Sequence, residues 1–401
     1  MKNQVKNIIE VILIEQDLPH YRIGIFNKLN KAVGGGLTVY SPENDKSRFF
    51  LDSEQEVIHF ERRRINGRLL FGGRLYFSNL FQVLWKNKRP DVVILRHSVR
   101  NPILLPFLIY CRIVRLPAVV WGQGFSRHRR FRPFRNPFDF LGLLIVRLAD
   151  SYVAYSPMVK ETLNRYVNTS RVSVAANTIN LEPLDPILEQ LKAEGKASVK
   201  RSLGLKKNQY LVFIGRLQKR KRIDFLLDAY ARMTERRDDV GLIVIGDGPE
   251  KTRLEKTAKE ILLGEIRFIG ALDFAESAPY LFASDVMVIP GWLGLAVNHG
   301  FYFGLPVVTC KGEDDGSGHP PEIEWLEPGV TGIVSKADDA DEFARDICEA
   351  LRRSSEMGVS ARKYFHQNLQ IGRMIDGFIK GIEIAQAGSG RKKKIESHNQ
   401  N

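Results

Sequence analysis

The sequence predicts an α/β protein made of two doubly wound domains, each a parallel sheet with helices on both faces. Three observations predict it. Short apolar runs alternate with stretches of helical periodicity, the pattern of parallel strands joined by helical crossovers. The alternation gives way to a charged helical stretch at 184–198 and restarts at Tyr210. A chain of 401 residues also exceeds what one hydrophobic core usually organises.

In the first half, apolar runs predict strands at 6–14, 37–40, 56–60, 90–95, 118–121, 151–155 and 172–175. The loop after the first strand holds Asp17, His20, Tyr21 and Arg22, and Ile25, Phe26 and Leu29 then start a helix. Arg62, Arg63, Arg64, Arg68 and Arg74 crowd what reads as a loop with two glycine turns. The longest apolar stretch, 103–121, is interrupted by Pro106, Arg112, Arg115 and Pro117. It reads as a buried helix followed by a strand and falls short of a membrane span. In the second half strands read at 211–214, 242–245, 266–268, 286–289 and 307–309. Phe343, Ile347 and Leu351 share one helical face, and Ile371, Met374, Phe378 and Ile382 another. The expected organisation is a first domain at 1–180 and a second at 181–370. A helix at 371–387 packs back on the first domain, and a disordered basic tail spans 388–401.

Cys111, Cys310 and Cys348 are far apart, which excludes a disulfide framework and a zinc site and fits a reducing cytosol. No secretory segment is expected at the start. The net charge is +14, and it is unevenly placed. Residues 1–180 hold 28 Lys and Arg against 13 Asp and Glu, whereas the remainder is close to neutral. An anionic partner is therefore expected for the first half alone.

The stretch 210–230 is the sharpest feature. An apolar run ends at Gly215, exposes Arg216, Lys219, Arg220, Lys221 and Arg222, and enters a helix at Ile223. Fixed cations beside a helix start make an anion site. Further loops follow later strands: Gly246-Asp247-Gly248-Pro249-Glu250, Phe268-Ile269-Gly270, and 290–296 with Gly294 and Leu295 opening a helix. The glycines let backbone approach a ligand closely. Ligands bind outside the carboxyl ends of strands in such sheets. Two anion sites and two glycine turns along one edge suit a diphosphate with a base beside it.

These blocks, FIGRLQKRKRIDFLLDAY, IVIGDGPEKTRLE and ASDVMVIP followed by GLPVV, resemble those of the family 4 glycosyltransferases. The resemblance spans nearly the whole chain. It implies the GT-B architecture, two Rossmann-like domains facing across a cleft, and a nucleotide-diphosphate sugar as donor, held by the second domain. Arg216 and Lys221 fall on the family's basic pair for the donor diphosphate, which would neutralise the leaving group without a metal. No Asp-x-Asp motif stands near the donor loops, and no metal or other cofactor is expected.

The chain departs from the family at two points. Aligned on Gly304-Leu305-Pro306, the positions of the family's two glutamates are Gly291 and His299. His299 and Asn298 could hydrogen-bond ribose, or His299 could be a core residue. An acceptor-side histidine of the family is Gln123 here, which cannot take a proton. Glu322 and His97 are candidates to make up the loss. The expected catalytic set is thus Arg216, Lys221, Glu322 and His97. The donor set is Gly215, Gly246, Gly248, Phe268, Gly270, Gly294, Leu295, Asn298 and His299. The acceptor set is His20, Tyr21, Arg22 and Gln123.

Between 121 and 147, Arg127, Arg129, Arg130 and Arg132 interleave with Phe131 and Phe134 and precede an apolar run. This suits an anionic membrane surface. RNA would suit the composition too, but no RNA-binding module is present and no nucleic-acid partner is expected. The expected function is a cytoplasmic, membrane-peripheral transferase moving sugar to a lipid-linked saccharide in cell-envelope polysaccharide synthesis. The alternative is an inactive relative that binds nucleotide sugar or glycan as an assembly partner.

Overall fold

The computed structural model describes residues 8–42, 57–70, 75–85, 89–125, 131–261, 264–311, 319–336 and 338–388. The first half contributes β1 (Val11–Ile14), β2 (Leu37–Ser41), β3 (Glu61–Arg64), a hairpin of β4 (Gly67–Leu70) and β5 (Leu75–Ser78), β6 (Val92–Arg96), β7 (Ala118–Gly122), β8 (Ser151–Ala154) and β9 (Val172–Val174). All but the hairpin form one parallel sheet in the order β3-β2-β1-β6-β7-β8-β9. The second half contributes β10 (Gln209–Ile214), β11 (Val240–Ile245), β12 (Glu265–Gly270), β13 (Val286–Val288), β14 (Val307–Cys310) and β15 (Gly332–Ser335). These pair in parallel in the order β12-β11-β10-β13-β14-β15.

The central strands are apolar throughout because both faces are covered. Covering the first sheet are α1 (Ile23–Ala32), α2 (Leu80–Trp85), α3 (Leu104–Ile113), α4 (Pro137–Leu148) and α5 (Pro157–Asn164). The second half carries α6 (Asp185–Glu194), α7 (Lys196–Ser202), α8 (Ile223–Thr234), α9 (Lys251–Glu260), α10 (Phe274–Ala283), α11 (Ala296–Tyr302), α12 (Ala340–Arg352) and α13 (Ser354–Tyr364). Local chemistry fixes several starts. Asn136 caps α4 ahead of Pro137, Ser156 caps α5 ahead of Pro157, and Asp273 with Glu276 forms a capping box on α10.

The last helix, α14 (Ile371–Gly388), belongs to the first lobe's core. Met374, Phe378, Ile382 and Ala385 are buried with Leu13, Ile94, Val119 and Val153. Gly377 and Gly381 let the helix lie directly on the sheet: a Cβ at Gly377 would stand 2.1 Å from the Val174 carbonyl oxygen. Ser173 and Ser151 hydroxyls donate to the Gly377 and Gly381 carbonyls at 2.9 and 2.6 Å.

Two sequence expectations change. In place of the strand expected at 56–60, β3 begins five positions later, at Glu61, and residue 56 lies outside the described residues. Arg62, Arg63 and Arg64 are therefore strand residues, not loop residues; Arg68 lies in β4, and Arg74 is outside the described residues. An edge strand needs backbone pairing only, so its side chains can all be charged. The strand expected to begin at residue 6 begins at Val11.

Candidate functional site

Each sheet reverses its strand order once, between β1 and β6 in the first and between β10 and β13 in the second. Such a switch point leaves a crevice at the carboxyl ends of the strands. In the second lobe the loops leaving β10 and β13 meet there. Gly291 abuts the basic loop so closely that a Cβ would lie 2.2 Å from the Arg220 carbonyl oxygen, which accepts from the Trp292 N–H at 2.9 Å. The Lys221 ammonium crosses from one loop to the other, donating to the carbonyls of Trp292 at 2.5 Å and Leu293 at 2.9 Å. It lies about 4 Å from where Cβ atoms at Gly215 and Gly294 would stand. Burial, with a smaller contribution from Arg220, pushes Lys221 down to about 8, against the opposing pull of Glu322. The lysine is thus still mostly charged near neutrality. Arg216, on the same loop, is exposed, and Arg220 stacks over the Trp292 ring.

The other glycine loops are built differently from expectation. Gly246 and Gly248 face neighbouring backbone and not open space. A Cβ at Gly246 would meet the Gly215 carbonyl oxygen at 2.0 Å, and one at Gly248 the Leu217 oxygen at 2.2 Å. Their role is to stack the β11 loop on the β10 loop, closed by Leu217 N–H to Asp247 O at 2.8 Å. Gly270, with φ of +90°, does face open space. Phe268 is half-buried in β12, and Leu295 precedes α11.

His299 is buried on α11 with its ring 4.8 Å from that of Phe274. Burial lowers its pKa to about 4, so the imidazole is neutral at physiological pH. Among the described residues its Nδ1 has no hydrogen-bond partner, and neither does either side-chain polar atom of the fully buried Asn298. Glu322 is buried and accepts from the Asn177 side chain at 2.8 Å. Glu324 accepts from the Ser156 hydroxyl at 2.8 Å and the Met158 N–H at 3.0 Å, capping α5 of the opposite lobe. The 321–325 turn therefore joins the lobes, and sequence reasoning singled out only Glu322 of this pair. The imidazole of His319, just before that turn, is held by the Cys310 carbonyl at 2.7 Å.

On the first lobe, Tyr21 packs against the second lobe's core. Arg22 is buried with Glu15 at 3.4 Å and Tyr155, so it is part of the lobe's interior and not an open loop residue. Burial alone would lower its pKa, but Tyr155 and Glu15 outweigh that and raise it. His20 and Gln123 are half-buried. His97, a catalytic candidate at the end of β6, is not an open residue. Instead its Nδ1 meets the Tyr152 hydroxyl at 3.2 Å and its Nε2 lies beside Gly142 of α4, on the face opposite Arg96. Burial, then Arg96, holds it at about 4.

Of the basic-aromatic segment, Arg127, Arg129 and Arg130 lie outside the described residues. Arg132 and Phe134 are exposed, and so are Phe138 and Phe140 of α4. Phe131 turns inward, packing on Phe125 and Tyr166 at centroid distances of 5.0 and 5.4 Å. Ile109 and Ile113 of the adjoining α3 are exposed as well. Among the described residues no helix is long and apolar enough to cross a membrane.

Residues 208–353 match the family described as glycosyl transferases group 1. The uncharacterized glycosyltransferase MJ1069 of Methanocaldococcus jannaschii is 24% identical over 320 residues, 77% of each chain. A mannosyltransferase of Mycolicibacterium smegmatis, GDP-mannose-dependent and acting on phosphatidylinositol monomannoside by its name, is 25% identical over 62% of this chain and 67% of its own. The crystal structure of Anabaena HepE in complex with UDP superposes with a TM-score of 0.68 at 17% identity, covering 93% of this chain and 99% of that one. The expected GT-B fold and kinship with glycosyltransferases are borne out.

Proposed function

We propose, from the premise that this enzyme is a glycosyltransferase whose residues 208–353 are of the group 1 kind, that it moves a sugar from a nucleotide-diphosphate sugar to a lipid-linked saccharide. The observation that carries the reading is the Lys221 ammonium, held at the second lobe's switch point between two loops. A preorganised cation there, with exposed Arg216 on the same loop, stabilises charge developing on a leaving diphosphate. Two cations make a metal unnecessary for that step. The pair Asp314 and Asp315 lies outside the described residues and is assigned no part. Glu322 lies close enough to Lys221 to act on its charge and is placed as the sugar-side carboxylate. His299 and Asn298 serve the ribose hydroxyls as neutral hydrogen-bonding groups.

A lipid-linked acceptor is supported by the basic first half, by the exposed Phe134, Phe138 and Phe140, and by the phosphatidylinositol monomannoside in the name of the Mycolicibacterium relative. The protein then works on the inner face of the cytoplasmic membrane in envelope polysaccharide synthesis, with the retaining outcome of its family. A second reading, an inactive nucleotide-sugar binder, draws on Gly291, where the packing on Arg220 leaves no room for the family's carboxylate.

Nucleotide sugars with uracil and guanine bases should be screened for thermal stabilisation, followed by donor hydrolysis with the best binder. Hydrolysis that falls 10²–10³-fold in Arg216→Ala is expected, by the size of effect found for one charge-stabilising donor. Binding without any hydrolysis or transfer favours the inactive reading. Unchanged turnover in Arg216→Ala removes that residue from the mechanism.

A further inference from the structure

The first lobe's switch point has a constructed site of its own. β1 and β6 pair with Ile14 opposite Leu95, which makes the next residues, Glu15 and Arg96, neighbours. Arg96 in turn stands opposite Trp121 of β7. Arg22 and Arg96 both lie over the Trp121 ring, 4.4 and 5.1 Å from its centroid, and Arg96 also lies 5.3 Å from that of Tyr155.

One carboxylate serves two guanidiniums. Glu15 is fully buried, 3.4 Å from Arg22 and 3.5 Å from Arg96. Arg22 is buried and takes the Tyr155 hydroxyl as well, at 2.9 Å. The layer is left with one surplus positive charge, and it resides on Arg96, whose side chain is 27% exposed. Nη1 of Arg22 and Oε1 of Glu15 face each other at 3.4 Å without forming a hydrogen bond, and Nε1 of Trp121 is buried with no acceptor among the described residues. A narrow crevice between the two strand ends is lined by Glu15, Gln16, Tyr76, Ser78, Arg96 and Asn101. The buried Tyr76 hydroxyl there also has no hydrogen-bond partner among the described residues.

We propose that Arg96 is an oxyanion-binding residue of the first lobe, and that the acceptor carries a phosphate or carboxylate that docks on it. The proposal rests on reading the first lobe as the acceptor lobe. A guanidinium matches either oxyanion with two parallel hydrogen bonds. Stacking on Trp121 and Tyr155 orients the fork in advance. Glu15 is shared, ion-paired with Arg22 at 3.4 Å and accepting from Arg96 at 3.5 Å, so it weakens Arg96 without neutralising the pair of guanidiniums, which permits release after transfer.

The test uses the full chain with its second lobe saturated by UDP or GDP, whichever stabilises it. Wild type and Arg96→Gln are titrated with phenyl phosphate and, separately, with glucuronate, read by calorimetry. We expect one probe to bind wild type saturably and at least tenfold more weakly to Arg96→Gln. A phenyl phosphate response assigns the oxyanion to the lipid-linked phosphate, a glucuronate response to an acidic sugar. Equal binding by both proteins overturns the proposal, as does the absence of saturable binding of either probe to wild type. Should Arg96→Gln fail to fold, Arg96→Lys takes its place: it keeps the charge, loses the fork, and should bind several-fold more weakly than wild type. Nucleotide stabilisation of wild type, measured first, tests the donor reading separately, so the two can fail independently.

Discussion

Replacing Lys221 with Met should separate binding from stability. The substitution keeps the length of the buried stem and removes the ammonium. Two hydrogen bonds to the Trp292 and Leu293 carbonyls are lost. Bonds of a charged donor contribute roughly 1.5–3 kcal/mol each. Against this stands the cost of burying the charge. A shift from 10.5 to about 8 amounts to roughly 3 kcal/mol disfavouring the charged form. The two largely offset, so the free protein should lose between about 0 and 3 kcal/mol, a melting-point change of a few degrees at most. Nucleotide diphosphate recognition has no such compensation, because a ligand's charge meets the ammonium and not the methionine. Donor turnover should fall by 10²–10³, or ~2.7–4 kcal/mol. Differential scanning fluorimetry with and without UDP or GDP, beside donor hydrolysis, reads both quantities. A Lys221→Met protein that melts like wild type and is still stabilised by nucleotide to the same extent would falsify the assignment.

Four further outcomes follow from the same geometry. Nucleotide affinity should be flat below about pH 7 and weaken as pH rises through about 8, where Lys221 loses its proton; the trend should vanish in Lys221→Met. The stability effect has the opposite sign: a lysine whose folded pKa lies below its ordinary 10.5 costs stability while charged, so the free fold gains between pH 8 and 10.5 in chemical denaturation. Gly246→Val should lower the melting temperature and nucleotide binding together, because its side chain would displace the Gly215 carbonyl that sets the basic loop; the expected cost is about 1–3 kcal/mol. Glu324→Ala strips the inter-lobe cap from Ser156 and Met158, at about 0.5–2 kcal/mol, and limited proteolysis should show a looser junction.

The legible parts of the fold were those where one stretch of sequence meets its own requirements. β10 and β11 read out directly, being apolar runs that end in Gly215 and Gly246. β3 did not, since Glu61-Arg62-Arg63-Arg64 has no apolar residue and joins the sheet by pairing to β2. At the site, the loop carrying Lys221 was evident from its charge. The purpose of Gly246 and Gly248 was not, because a loop packed on another loop and a loop packed on a ligand both demand the loss of Cβ. His97 was misplaced because strand-end position does not reveal which face a side chain takes. Glu15 and Arg96 escaped notice for a simpler reason: they are 81 residues apart in sequence and meet only through the register of β1 with β6.

The placement of α14 also bears on how the chain is assembled. Residues 371–388 leave the ribosome after the whole second lobe, yet they complete the hydrophobic interior of the first. During synthesis the earlier-made half must wait, with Trp121 and Val153 incompletely covered, while the later-made half has everything it needs to fold. Vectorial synthesis is thereby inverted, and the waiting sheet is the surface on which chaperones would act.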